Sequence, residues 1–354
     1  MKTKIALVAG VTGIVGRGIA QFLSSLPDWQ VIGCARRLPV HSSVPLPYPI
    51  LAIDLTDEEK THSTLSGMKF LTHIFYCGRA DYQPGLKEPI DTNLLMLKNL
   101  IQAVEPIALS LQHVHIVQGS KVYGSDLGPY VTPALESHPR VNPTNWYYEQ
   151  EDWLRERSAQ SHWHWSASRP HGVCDAQIDS IRGLARVLAI YASICRSQGL
   201  PLSFPGNVGG FHSLYQCVEL PLLSRAMAWI STEPSCQNEV FNVTNGDSMR
   251  WVNIWPKVAQ FFDMPVGEVR PTLLTQWAKD KAPLWSQLVR EHQLIPTDFE
   301  KTAVWSYGDF NFSRPYDILS STIKLRQSGF HDCIDTPTMI LDHLAHFRSQ
   351  RLIP

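Results

Sequence analysis

Residues 5–18 read Ile-Ala-Leu-Val-Ala-Gly-Val-Thr-Gly-Ile-Val-Gly-Arg-Gly and carry the strongest structural signal in the chain. A short apolar run ends at Gly10, glycines recur at Gly13 and Gly16, and an apolar helical pattern begins at Ile19. This order predicts a strand, a tight turn and a helix, in which the glycines let the backbone approach a pyrophosphate at the positive end of the helix. A plain β–α turn is the alternative, because the spacing is G-x-x-G-x-x-G and not G-x-G-x-x-G.

Composition limits the classes of function. A chain of 354 residues suggests two domains, or one large α/β unit with an added lobe. The net charge of −1 argues against a nucleic-acid or membrane-surface partner. No apolar run approaches the ~20 residues of a membrane span, and the first one is too short for a signal peptide. The cysteines are scattered without a C-x-x-C pair, which favours free thiols in a reducing compartment. We expect a cytoplasmic protein with a small-molecule partner and no metal.

The second predicted strand, Trp29–Ala35, is followed by Arg36 and Arg37. In NAD-binding units, an acidic residue near this position holds the ribose 2′-hydroxyl. Here two guanidinium groups replace it, and these suit a 2′-phosphate through charge-assisted hydrogen bonds. The pair therefore predicts NADP(H) as the cofactor, although an exposed basic strand end would look the same.

Further strands and helices alternate along the first half of the chain. Strands are expected at 51–54, 73–78, 113–119 and 165–168, with a helix at 91–104, a loop at 125–145 and a helix that opens at Asn145. This alternation predicts a doubly wound parallel α/β (Rossmann) sheet, whose ligands bind outside the carboxyl ends of the strands. Asp54 stands at such an end and is either an acceptor for an adenine amino group or a helix cap. His113 and His115 share one strand face, and we expect partly exposed histidines there and not a metal site.

The helix that opens at Asn145 carries Tyr147 and Tyr148. A tyrosine helix after the fifth strand resembles the short-chain dehydrogenase/reductase superfamily in its extended form, which uses Tyr-x-x-x-Lys. Here Glu151 and Asp152 stand four residues after the two tyrosines. A carboxylate there raises a phenol pKa, whereas lysine would lower it.

The same departure occurs in the progesterone 5β-reductase/iridoid synthase-like (PRISE) family, which the chain resembles over nearly its whole length. The resemblance rests on Gly-Val-Thr-Gly-Ile-Val-Gly at 10–16, Ala-Arg-Arg at 35–37, Gly-Ser-Lys-Val-Tyr at 119–123 and Asn-Trp-Tyr-Tyr-Glu-Gln-Glu-Asp at 145–152. It implies an NADPH-dependent reductase of α,β-unsaturated carbonyls, in which Tyr148 is the catalytic tyrosine and Lys121 the relocated lysine. Cys77-Gly78-Arg79 and Arg-Pro-His171 depart from the family pattern, so neither a steroid nor an iridoid precursor is assumed as substrate.

The resemblance and the strand ends together give a set of expected site residues. The catalytic residues are Tyr148 and Lys121. The residues expected to bind the cofactor are Gly10, Thr12, Gly13, Ile14, Val15, Gly16, Arg36, Arg37, Asp54, Leu55, Tyr76, Cys77, Gly78, Gln118, Tyr148, Pro170 and Val173. The residues expected to line the substrate pocket are Arg79, Tyr123 and Tyr147.

The domain organisation follows from where the strand pattern fades. Residues 1–174 are predicted to form the NADP-binding domain, with a strand from around 238–246 rejoining it, and residues 175–354 a smaller, mostly helical substrate lobe. A homodimer is compatible with the sequence. Two other functions remain open: an extended-type sugar-nucleotide epimerase or dehydratase, and an NADP-sensing regulator without catalysis.

The two arginines generate a first prediction. The chain binds NADPH more tightly than NADH, and the double substitution Arg36→Ala, Arg37→Ala removes the preference, because no cation then faces the 2′-phosphate. Dissociation constants for both cofactors check this. Equal affinities in the unaltered chain would contradict it.

Overall fold

The computed structural model describes residues 3–38, 46–82, 88–141 and 145–354, so residues 142–144 of the predicted loop lie outside it. The strands in these ranges are Lys4–Ala9 (β1), Trp29–Ala35 (β2), Ile50–Ala52 (β3), His73–Tyr76 (β4), His113–Val117 (β5), His164–Pro170 (β6), Val173–Cys174 (β7), Leu202–Phe204 (β8), Leu214–Tyr215 (β9), Val218–Glu219 (β10), Glu239–Val243 (β11), Met249–Arg250 (β12) and Val266–Val269 (β13).

The helices in the same ranges are Ile14–Ser24 (α1), Glu58–Leu65 (α2), Ile90–Val104 (α3), Trp146–Ser158 (α4), Leu184–Ser197 (α5), Val208–His212 (α6), Leu220–Thr232 (α7), Trp251–Phe261 (α8), Leu274–Trp277 (α9), Ala282–Glu291 (α10), Trp305–Phe312 (α11), Ile323–Gln327 (α12) and Thr336–Ser349 (α13). Short 3₁₀ turns span Ser120–Tyr123, Pro234–Cys236, Ala278–Asp280 and Phe299–Lys301. Within these ranges, no helix has the length and apolarity needed to cross a bilayer.

A parallel sheet forms the centre of the molecule. In the described chain its strand order is β3-β2-β1-β4-β5-β6-β11. The chain leaves β1 toward β2 on one side and returns to β4 on the other, which makes the β1–β4 boundary the switch point where ligands bind in such sheets. This confirms the predicted doubly wound parallel sheet, including the late strand that rejoins it as β11.

Both faces of the sheet are covered, as parallel sheets require. Residues of β1 alternate between two apolar clusters: Ala6 and Val8 pack with α1 and α7, whereas Leu7 and Ala9 pack with α3 and α4. A further apolar cluster joins the helices of the second half, around α5, α8 and α13.

Helix α7 belongs to the layer that covers the sheet, although its residues fall in the predicted substrate lobe. It packs against α1, where a side chain at Gly18 would overlap Leu220. The close approach of the two helices depends on that glycine. The domain boundary between residues 174 and 175 stays a prediction. Helix α7 follows that boundary in the chain but packs on the sheet of the first half.

The two histidines of β5 are buried, so the expectation that they are partly exposed is wrong. His113 Nε2 lies 2.6 Å from Ser166 Oγ, and His115 contacts the hydroxyls of Ser166 (2.8 Å) and Ser168 (2.6 Å) on β6. Burial lowers the pKa of His113 well below its ordinary value and that of His115 to about 3. Both rings are therefore neutral structural groups, bridged to the neighbouring strand by serines.

Replacing Ser166 tests this bridge. Ser166→Ala leaves two buried ring nitrogens without a partner and lowers the free energy of unfolding by about 1–3 kcal/mol. Urea unfolding measures the loss. The matched control is Ser63→Ala on the exposed face of α2, which changes the value by less than about 0.5 kcal/mol. Equal effects of the two substitutions would contradict the role of the bridge.

Candidate active site

A cleft of about 950 Å³ opens at the carboxyl ends of β1, β4, β5 and β6. The glycine loop after β1 lines one part of it. Residues 179–182 and the segment from Tyr307 to Arg314 line the opposite part. The two halves of the chain therefore meet at the switch point of the sheet.

The glycine loop is shaped for close approach of a ligand to its backbone. Gly10 has φ of +74°, and a β-carbon there would lie 2.7 Å from the Cys77 carbonyl oxygen. A β-carbon at Gly16 would overlap the Gly10 carbonyl oxygen. Gly13 precedes α1 without a side-chain cap, which leaves the first N–H groups of that helix free for an anion. The loop fits a dinucleotide pyrophosphate.

Most of the residues expected to bind the cofactor line this cleft. They are Gly10, Thr12, Gly13, Ile14, Val15, Gly16, Arg36, Asp54, Leu55, Cys77, Gly78, Gln118, Pro170 and Val173. Three others do not line it. Tyr76 is buried beneath Gly78, Arg37 is exposed outside the cleft, and Tyr148 is buried elsewhere.

Two side chains expected on the adenosine side of such a cofactor, Arg36 and Asp54, already have partners within the protein. Arg36 lies 2.6 Å from the Asp81 carboxylate in an exposed ion pair. Asp54 Oδ1 accepts hydrogen bonds from the Thr56 amide and hydroxyl, whereas the cap of α2 is Asp57. Of the two roles predicted for Asp54, the helix cap is therefore wrong. Asp54 shapes the loop before α2 and lines the cleft, and its role as an acceptor for an adenine amino group stays a prediction.

A buried ion pair fixes the orientation of α4. Glu151 Oε2 accepts hydrogen bonds of 2.9 Å from Arg169 at the end of β6 and from Gln118 after β5. Burial alone raises the pKa of Glu151, but the Arg169 guanidinium and the hydrogen bonds from Gln118 and Arg169 outweigh it and lower the pKa. The carboxylate that replaces the superfamily's lysine is therefore ionised and fully engaged with the sheet.

This pair turns Tyr147 toward the cleft. Residues four apart share a helix face, so Tyr147 lies on the side of Glu151. A β-carbon at Gly119 would lie 3.3 Å from the Tyr147 hydroxyl, which places that hydroxyl at the end of β5. Within the described chain, the hydroxyl has no hydrogen-bond partner. Burial, and next the charge of Glu88, raise the pKa of Tyr147 far above its ordinary value.

Tyr148 faces away from the cleft, so the prediction that it provides the catalytic hydroxyl does not agree with its position. Its hydroxyl donates to the Val122 carbonyl oxygen (2.6 Å) and accepts from the Val141 amide (3.0 Å). Neighbouring residues on a helix point about 100° apart, and the Glu151 anchor gives Tyr147 the inward direction. Tyr148 instead fastens α4 to the loops beside it.

Of the three residues expected in the substrate pocket, Arg79 and Tyr147 line the cleft and Tyr123 does not. Arg79 is exposed and stacks on the Tyr82 ring, with 4.2 Å between guanidinium carbon and ring centroid. The Tyr123 hydroxyl donates to Asn242 and accepts from Arg169 in the interior. Tyr123 therefore supports the buried ion pair and is not part of the pocket wall.

Lys121 lines the cleft, as its expected role requires. Its Nζ lies 3.1 Å from Glu88 and 3.7 Å from Asp126. The ammonium group is thus held between two carboxylates, both of which contribute to raising the pKa of Tyr147, Glu88 more than Asp126.

Sequence reasoning missed the far wall of the cleft. Tyr307, Phe310, Asn311 and Arg314 line it, with His171 from the loop after β6. For His171 the sequence held a local signal, because Arg-Pro-His171 departs from the family pattern. The others come from α11 and the residues that follow it, whose approach to the sheet depends on long-range packing and leaves no motif.

With this geometry in place, comparison with known proteins defines the class. A family model described as a PRISE-like Rossmann-fold domain matches residues 54–317. The chain is 32% identical to (S)-8-oxocitronellyl enol synthase of Catharanthus roseus, across 99% of this chain and 92% of that protein. It is 30% identical to 3-oxo-Delta(4,5)-steroid 5-beta-reductase of Arabidopsis thaliana, across 99% and 93%.

Solved structures agree on the fold. A short-chain dehydrogenase/reductase superfamily protein from Agrobacterium tumefaciens superposes with a TM-score of 0.69 at 15% identity, over 98% of each chain. The chain belongs to the PRISE-like Rossmann-fold family, as the sequence motifs predicted. It is an enzyme of the oxidoreductase type.

The Arg36–Asp81 pair generates a prediction. Asp81→Asn removes a negative charge beside the expected 2′-phosphate position and raises NADPH affinity by roughly two- to five-fold, the scale of an exposed ion pair. Fluorescence titration with NADPH and NADH measures it, and NADH affinity stays unchanged. Asp332→Asn, which breaks an exposed pair with Arg225, is the matched control. A fall in NADPH affinity for Asp81→Asn would contradict the assignment.

Proposed function

We propose that the chain reduces α,β-unsaturated carbonyl compounds with NADPH, by conjugate addition of hydride. The names of its relatives support this reaction class. One is named as a reductase of 3-oxo-Δ(4,5)-steroids, in which the double bond is conjugated to the oxo group.

The observation that carries the proposal is the state of Tyr147. Its phenol stands in the cleft with a raised pKa, and the residue four positions later is a carboxylate tied to Arg169 and not a lysine. A phenol in this environment keeps its proton at neutral pH and acts as a hydrogen-bond donor. Conjugate addition needs such a donor, because negative charge develops on the carbonyl oxygen as the enolate forms.

The cleft supplies the groups that would hold the cofactor. The glycine loop and the N-terminus of α1 suit the pyrophosphate, and Arg36 suits a 2′-phosphate. When bound, NADPH supplies the hydride. Gln118, Gly119 and Pro170 stand at the ends of β5 and β6, beside Tyr147, where the reacting end would lie.

We assign Lys121 a positioning role. Its ammonium group pairs with Glu88, whose charge would otherwise oppose the enolate beside Tyr147. By neutralising Glu88, Lys121 preserves the ability of the phenol to stabilise negative charge on the substrate.

Two adjacent tyrosines provide a matched test. Tyr147→Phe lowers kcat for reduction of cyclohexenone by roughly 10²–10³-fold, the cost of removing one donor to a developing oxyanion. NADPH binding is retained. Loss of NADPH absorbance measures the rate.

The control is Tyr148→Phe, which removes a hydroxyl bonded to two backbone groups. It lowers the free energy of unfolding by about 1–3 kcal/mol and keeps most of the activity. The opposite pattern, an inactive Tyr148→Phe with an active Tyr147→Phe, would return the catalytic role to Tyr148.

A further inference from the structure

Arg314 is a buried cation with no hydrogen-bond or ion-pair partner among the described residues. It is 8% exposed, lines the cleft and stacks on the Phe310 ring at 3.7 Å from guanidinium carbon to ring centroid. Within the described residues its side chain makes no hydrogen bond and no ion pair, and its Nη1 is fully buried. A buried charge left unpaired is costly, and proteins normally pair such groups or use them to bind ligands.

His171 adds a second unsatisfied polar atom to the same wall. Its Nδ1 lies 2.6 Å from Ser120 Oγ, whereas its Nε2 is buried without a partner in the described chain. Burial, and next the positive charge of Arg314, lower the pKa of His171 to about 3, so the ring is neutral. When the Ser120 hydroxyl donates to Nδ1, the single ring proton sits on Nε2 and is available to a ligand.

The acidic residues that line the cleft have partners other than Arg314. Asp81 pairs with Arg36, and Asp179 pairs with Arg17 at 2.7 Å. Asp54 accepts from Thr56. Among the described residues, none of the carboxylates that line the cleft pairs with Arg314, which leaves its charge available to an anionic ligand.

The charge of the site selects the kind of anion. The two buried unpartnered groups, one guanidinium and one neutral imidazole, balance a single negative charge, which fits a carboxylate. The other guanidinium near this wall, that of Arg182, is exposed and stacks on the Tyr307 ring at 5.4 Å. A dianionic phosphate would bring excess charge into a buried position, which is unfavourable. Tyr307 and Phe310 provide aromatic surface beside these donors for an apolar chain.

We propose that the physiological substrate is an enone that also carries a carboxylate, and that Arg314 and His171 Nε2 bind this carboxylate while Tyr147 faces the enone carbonyl. The proposal rests on the proposed function, of which it specifies the substrate class. Ser120 connects the two positions, because it contacts His171 and directly follows Gly119, which lies against the Tyr147 hydroxyl.

The test compares acid and ester forms of one enone. The substrates are linear methyl enones with a terminal carboxylate, in two chain lengths, and their methyl esters, which have the same skeleton without the charge. A phosphonate analogue is included. With the NADPH-loaded enzyme, we expect kcat/KM for the acid of at least one length to exceed that of its ester by about 10- to 100-fold, the worth of hydrogen bonds to a charged group. The phosphonate is a poorer substrate than the acid.

Variants locate the effect. Arg314→Gln removes the preference by raising KM for the acid, so that acid and ester are used with similar kcat/KM, and Arg314→Lys restores part of the preference. Arg196→Gln, which breaks an exposed pair with Asp263, is the matched control and keeps the preference. Equal use of acid and ester by the unaltered enzyme, or a preference that survives Arg314→Gln, would overturn the proposal.

A binding measurement separates failure of this proposal from failure of the proposed function. Isothermal titration of the NADP⁺-loaded protein with the saturated keto acid and its methyl ester needs no turnover. Tighter binding of the acid, lost in Arg314→Gln, supports the carboxylate site even if no enone is reduced. Equal binding of both compounds overturns it even if enones are reduced.

Discussion

The buried ion pair between Glu151 and Arg169 sets the geometry on which the site depends. It joins α4 to the end of β6. Gln118, the residue directly after β5, hydrogen-bonds to both members of the pair. In a low-dielectric interior such a pair must be fully hydrogen-bonded to persist, and here Gln118, Tyr123 and Arg140 complete it. Because this contact fixes the rotation of α4 about its axis, it decides which of two adjacent tyrosines enters the cleft.

The same contact explains the chemistry that the site favours. In the superfamily pattern Tyr-x-x-x-Lys, the lysine lowers the phenol pKa and suits the tyrosine to act as a base. Here the equivalent position anchors the helix to the sheet, and the half-buried phenol of Tyr147, whose pKa is raised, remains protonated. The charged groups near the phenol are the Lys121–Glu88 ion pair beside Tyr147 and the Arg314 guanidinium on the opposite wall. A neutral donor flanked by such groups suits the proposed stabilisation of an enolate better than it suits proton abstraction.

The sequence predicted the fold well because its signals are local. The glycine loop, the apolar runs and their spacing determine β1, β2, α3 and the switch point, and β2 was predicted with its observed bounds. The rotation of α4 was not predictable, because Tyr147 and Tyr148 are both aromatic and the deciding contact lies 18 residues further on, at Arg169. For the same reason Tyr123 was misplaced in the pocket, the histidines of β5 were expected to be partly exposed, and Arg314 went unnoticed.

The most direct test of conjugate reduction is the fate of a labelled hydride. The enzyme is supplied with NADPH deuterated at the transferred position and with a simple enone, and the product is analysed by NMR. Deuterium at the β-carbon of a saturated ketone, with the carbonyl intact, is the expected result. Deuterium at the carbonyl carbon of an allylic alcohol would contradict it, because hydride would then have attacked the carbonyl and no enolate would form.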